Sequence, residues 1–225
     1  MNRDALLAIG DDALIAAQRL SEWCSRAPEM EEDVALANIA LDQLGVARLV
    51  LSCVDDEDTL AFLRTDREFR NCLLVELPNG DFAVTIAKLL FLSAFQRLRY
   101  AELASGLGPL AEIAAKAVKE SAYHVDHATL WTVRLGAGTE ESHRRMQQAV
   151  DEVWPYTYEL FEDCPSVREG WLSLVEPVLA DGGLERPADG GWAPTGGRSG
   201  LHTEHMGYLL AEMQVLHRAH PGVSW

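Results

Sequence analysis

Between Ile86 and Phe95 the chain is apolar on every side of a helix, interrupted only by Lys88 and Ser93. A helix of that kind has no solvent-facing stripe, so it must be buried, either centrally or under a partner chain. The segments around it repeat apolar residues at helical spacing and none sustains strand alternation, which makes the chain all-α. Leu6, Ala13, Leu14, Ala17, Leu20 and Cys24 mark a first helix over about residues 4–26, stopped by Pro28. Acidic Glu29 to Glu32 open a second, which runs to about Cys53 with Val34, Asn38, Leu41, Asp42, Gly45 and Leu49 on one stripe. A short helical turn fits Thr59 to Arg64, and Pro78-Asn79-Gly80 turns the chain into the apolar third helix. Gly106-Leu-Gly108-Pro109 starts a fourth, about Leu110 to Leu135, with Ala114, Ala117, Ser121, Val125, Ala128 and Trp131 or Thr132 inward. A fifth spans Glu140 to about Phe161, bent at Trp154-Pro155; a short one fits Val167 to Leu179, and the last runs from near Thr203 to Pro221. Glycine pairs and Pro187 make about residues 181–201 a long irregular excursion.

A length of 225 residues suits one sizeable domain, residues 1–225. The formal net charge of −16 argues against a nucleic-acid surface, which needs a basic face. Arg64, Arg67 and Arg70, the pairs Arg97 with Arg99 and Arg144 with Arg145, and Arg198 are candidates for holding a phosphorylated small molecule, against the plainer reading that they are solvated. Cys24, Cys53, Cys72 and Cys164 lack Cys-x-x-Cys spacing and read as buried thiols. No apolar signal core opens the chain, and no apolar run approaches the roughly 20 residues that span a bilayer, so a cytoplasmic location is expected.

Polar residues interrupt these helices in the layout of a di-iron carboxylate site with ligands missing. Such a site takes one Glu from each of two helices and a Glu-x-x-His pair from each of the other two, since two iron cations need carboxylates and imidazoles from four directions. Glu22, Asp42 and His124 stand at such positions, but Gly45 follows Asp42 where a histidine is needed, and Ser121 precedes His124 where a carboxylate is needed. From Phe82 to Ala101 there is no acidic residue. The expectation is a degenerate metal site of Glu22, Asp42, Gly45, Ser121 and His124, with no metal, no cofactor and no catalytic residue in this chain. Lys88 is the natural counter-ion, an ammonium in place of the irons, unless it snorkels to the surface. A buried Asp42 must be paired or protonated, whereas Glu22, in a row with Asp11, Ile15 and Gln18, also reads as a helix-edge acid.

Glu120, His124 and His127 have ligand-compatible spacing on one helix, which a Glu to His hydrogen bond explains without a metal. His202-Thr-Glu-His205 looks metal-like but opens a helix, where Thr203 can be the N-cap and Glu204 favours the dipole. Its expected role is docking the tail onto the body or onto a partner. Leu36, Leu44 and Val50 lie away from the Asp42 stripe and, with His202, Glu204 and His205, form the expected partner interface.

Several stretches resemble the structural, non-catalytic member of the bacterial phenylacetyl-CoA epoxidases. They are Leu20-Ser-Glu-Trp-Cys24 with Ala27-Pro-Glu29, Leu36-Ala-Asn-Ile-Ala-Leu-Asp-Gln-Leu-Gly45, Leu73-Leu-Val-Glu-Leu-Pro-Asn-Gly-Asp-Phe82, Lys119-Glu-Ser-Ala-Tyr-His124, and the tail Gly200-Leu-His-Thr-Glu-His-Met-Gly207 through Ala211-Glu-Met-Gln214. The likeness covers nearly the whole chain, is most specific in the tail and is weakest from Glu162 to Gly190. It implies a ferritin-like helical bundle with additional C-terminal helices, within a multicomponent monooxygenase of phenylacetate catabolism. A sister subunit in that complex holds the di-iron centre and makes a ring 1,2-epoxide from phenylacetyl-CoA. The sister's first ligand helix is matched by Ser21-Glu22 and Pro28, its first Glu-x-x-His by Asp42 to Gly45, and its second by Ser121 to His124, with Glu120 one position out of phase.

The partner so implied is the di-iron catalytic subunit, which this chain would pair with and stabilise. The CoA part of the substrate is a further candidate contact, and a homodimer a candidate state when the chain is alone; neither nucleic acid nor membrane is expected. Two other functions compete. An autonomous di-iron or dimanganese oxidase would contain iron or manganese, and a helical adaptor without an oxygenase partner would not bind the catalytic subunit.

Overall fold

The computed structural model describes residues 1–223, and among them every regular element is helical, as the periodicity requires. In chain order the α-helices are α1 (Arg3–Ser21), α2 (Met30–Leu51), α3 (Glu57–Phe62), α4 (Leu73–Glu76), α5 (Phe82–Ala104), α6 (Pro109–Gly136), α7 (Glu140–Val153), α8 (Arg168–Asp181) and α9 (Glu204–Ala219). Their starts are set by short polar caps: Asn2 accepts from the Ala5 N–H, Asp56 from Thr59, Asp81 from Ala83 and Val84, and Thr139 from Ser142. Pro109 opens α6 at a position where its missing N–H costs nothing. This all-α class is that of a ferritin-like helical fold. Two compact units divide the chain, one of Met1–Pro78 with the segment from Thr195 onward, the other of Asn79–Pro194.

In the first unit α1 packs along α2. Their approach is close enough that a Cβ on Gly10 would meet Leu51 Cδ2 at 2.7 Å, so glycine is needed there. That contact selects which face of α2 turns inward: Leu36, Ile39, Val46, Ala47 and Val50 are buried. The stripe expected inward is the outer one, with Val34 at 58%, Leu41 at 63% and Leu49 at 46% exposure. Apolar residues on both faces also make α2, at 22 residues, long and apolar enough to cross a membrane, which corrects the expectation from the sequence; 44% of its most apolar window is buried. α1 stops at Ser21, short of residue 26, because Ser25 adopts φ 65° and its N–H is captured by the Asp33 carboxylate. α9 docks on α3, where Gln214 Nε2 donates to the carbonyls of Ala61 and Arg64 at 3.0 Å each.

In the second unit α5 is surrounded by α6, α7 and α8. Ile86, Ala87, Phe91 and Ala94 are fully buried within the chain itself, so this helix needs no partner to cover it. Against it stands a cluster of rings: Trp154 and Trp171 lie 5.4 and 5.7 Å from Phe91, and Phe161 lies 5.3 Å from Trp171. The Trp171 indole N–H donates to the Phe91 carbonyl at 2.9 Å. The inward residues of α6, from Ala114 and Ala117 through Ser121 and Val125 to Ala128, are buried as expected. Pro155 ends the α-helical part of the fifth segment at Val153, and Trp154–Phe161 continues as a 3-10 helix.

Candidate functional site

The most heavily built polar site lies in the first unit, around three buried carboxylates. Asp11 and Asp12 are adjacent in the middle of α1, where an aspartate is a poor helix former and must find partners. Asp11 receives a two-pronged ion pair from Arg64, with Nη1 3.0 Å from Oδ2, and also the Arg70 N–H at 2.8 Å. Burial pushes the Asp11 carboxyl up from its ordinary value, against the pull of the Arg64 hydrogen bond and charge. Asp12 is held by both Arg198 nitrogens at 2.8 Å and by the Cys72 N–H at 2.7 Å.

Glu76, fully buried at the end of α4, accepts from Asn71 Nδ2 at 3.2 Å and the Thr203 N–H at 2.6 Å, and lies 2.8 Å from His202 Nδ1. Arg19 donates to the Glu76 backbone carbonyl and pairs with Glu22 at 2.8 Å.

Two of these partners, Arg198 and His202, come from residues 195–203, so the second half of the glycine-rich excursion is a strap clamped onto its own unit. Gly200 at φ 80° rests directly on the Arg67 carbonyl, an approach that excludes a Cβ. The first half is tied to the other unit: Gln147 exchanges hydrogen bonds with the Glu185 backbone, and Asp189 pairs with Arg168 and Arg186.

Arg64 and Arg198 are therefore consumed by internal carboxylates and are not open phosphate sites. Arg70 caps the carbonyls of Arg67 and Phe69, while Arg144 and Arg145 share Glu141, whose carboxyl their hydrogen bonds lower to about 2. The signal missed in the sequence was the Asp-Asp pair inside a helix.

The residues read as a degenerate metal site are distributed as follows. In the first unit Glu22 is about a quarter exposed, Asp42 is half-buried, and beside Gly45 a Cβ would have open space. In the second unit Ser121, His124 and Lys88 are buried, so Lys88 does not snorkel. Glu120 pairs with Lys116 at 3.0 Å. This donor set does not fit a di-iron centre: Gly45 offers no atom, Ser121 a neutral hydroxyl, and α5 an ammonium where a carboxylate is required.

Of the expected interface residues, Leu36 and Val50 are core residues at 0% and 1% exposure, leaving Leu44 at 38%. The His202 side chain is turned inward, Glu204 is exposed and His205 half-buried. Thr203 occupies the N-cap of α9 without a side-chain capping bond, and its backbone N–H donates to Glu76. Cys72 and Cys164 are buried thiols, but Cys24 and Cys53 are exposed.

The all-helical, ferritin-like fold defines the class. The sequence matches the family described as "Phenylacetic acid catabolic protein" over residues 3–225, and the chain belongs to that family. It is 44% identical over 241 aligned residues, covering 97% of both chains, to the C component of the 1,2-phenylacetyl-CoA epoxidase of Escherichia coli (strain K12).

Proposed function

We propose that this chain is a non-catalytic structural subunit of a phenylacetyl-CoA epoxidase, pairing with and stabilising the subunit that carries the di-iron centre. The observation that carries this reading is 44% identity across 97% of both chains to a component of such an epoxidase. Support for a non-catalytic role comes from the donor set, where Gly45, Ser121 and Lys88 stand in place of ligands. The di-iron belongs to the partner, and the chain acts in the cytoplasm as one domain, away from nucleic acid and membrane. Contact with the CoA part of the substrate, and a homodimer when the chain is alone, belong to the same reading.

The partner face is the outer side of α2. Met30, Val34, Leu41, Leu44 and Leu49 present a run of exposed apolar side chains along one helix, larger than scattered surface apolars account for. Leu41→Glu and Leu44→Glu are expected to leave helicity unchanged and to abolish co-purification with the di-iron subunit and epoxidation by the mixture. Folded variants that still assemble and turn over fully would move the interface elsewhere. The chain purified alone is expected to hold no stoichiometric iron; about two irons per chain after anaerobic loading, the complement of a di-iron site, would overturn the reading.

A further inference from the structure

We propose that His202 is a buried cationic clasp that holds the C-terminal strap, residues 195–203, and that the strap opens as pH rises and this imidazolium loses its proton. The argument is geometric. Both ring nitrogens face oxygens, a carboxylate and a carbonyl, that accept: Nδ1 lies 2.8 Å from Glu76 Oε2, and Nε2 lies 3.3 Å from the Phe69 carbonyl. A neutral imidazole has one donor and one lone pair, so beside an ionised Glu76 it would set that lone pair against one of these oxygens; with the carboxylate charged, only the doubly protonated ring satisfies both. The side chain is 2% exposed and Glu76 is fully buried, so water cannot stand in for the lost bond.

The charged groups around the ring favour the same state. Burial alone would push the His202 pKa down, but the hydrogen bond and charge of Glu76, the Phe69 carbonyl and the more distant Asp66 outweigh it and hold the value above the ordinary one. Arg19 is engaged at the Glu76 backbone carbonyl, and Arg198 is matched by Asp12. Glu76 therefore answers His202 through its side chain. One more bond depends on this arrangement, since the Thr203 N–H donates to Glu76 Oε1 at 2.6 Å.

The sign follows from linkage. A histidine whose pKa is higher in the closed strap than in the open one stabilises closure fully below the open-state value, near 6.5. That contribution is lost as pH climbs through the closed-state value. Between the two values one proton leaves on opening, so the opening equilibrium rises by up to about tenfold per pH unit and levels off above them.

Two measurements on the full-length chain test this. In protein labelled with 15N-histidine, the His202 nitrogens are expected to give the imidazolium signature at pH 7; a neutral tautomer there would overturn the proposal. Amide exchange of Leu201 and Thr203, corrected for intrinsic rates, is expected to show opening that steepens above about pH 6.5 towards tenfold per unit. Opening that stays flat with pH would equally overturn it. His202→Gln should open the strap more at neutral pH and remove the slope, while Glu76→Gln should lower the His202 titration midpoint. The wild-type titration decides the matter even where a variant fails to fold.

Discussion

The two units solve the same problem of filling a helical core with opposite materials. In Met1–Pro78 with the C-terminal segment, charged side chains are drawn inside: Asp11, Asp12, Glu76 and Arg64 are all buried, and each carboxylate is answered by an arginine or histidine from far along the chain. In Asn79–Pro194 the centre is α5 sheathed in rings, with Trp154, Phe161 and Trp171 packed against or near Phe91. A ring cluster tolerates small errors of placement because dispersion is non-directional, whereas a buried ion pair stabilises only when its geometry is met and otherwise leaves a stranded charge. The first unit should be the more specific in what it accepts, and the second the more sensitive to lost volume.

Substitutions can break that contrast. The largest loss is expected from Trp171→Ala, which removes the hub of the ring cluster and its bond to the Phe91 carbonyl. Denaturant melts should show about 5 kcal/mol, the upper end for deleting a large aromatic from a core. Next is Arg64→Ala, which strands Asp11 and should cost about 4 kcal/mol. Replacing the pair together, Asp11→Leu with Arg64→Met, should recover most of that loss; a double variant as damaged as the single one would show that the pair itself adds net stability.

Smaller again, at about 3 kcal/mol, is Lys88→Ala, since Lys88 is the one charged side chain buried in α5 and its removal leaves the group that answers it uncompensated. A loss under about 1 kcal/mol, the range of an exposed pair, would show that the buried ammonium is not held by a desolvated partner.

The contrast also explains what could be read in advance. The α6 stripe was legible because its small residues, Ala114, Ala117, Ser121 and Ala128, fall on one face, with Lys116, Lys119 and Asp126 elsewhere around the helix. α2 was misread because Leu36, Ile39 and Val50 on one side compete with Val34, Leu41 and Leu49 on the other, and periodicity cannot choose between two apolar faces. Arg64 and Arg198, candidates for a phosphate, meet buried carboxylates instead, and spacing carried no sign of those partners.

By itself the sequence determined the helical class, most helix limits and the burial of α5. All of these follow from local spacing or from caps. Only the tertiary structure decided which face of α2 turns inward, that Arg64 meets Asp11 53 residues away, that Arg198 meets Asp12 across 186, and that His202 meets Glu76 across 126. Helical period is written into a few consecutive residues, whereas the partner of a buried charge is set by which distant segment the folded chain brings within hydrogen-bonding distance.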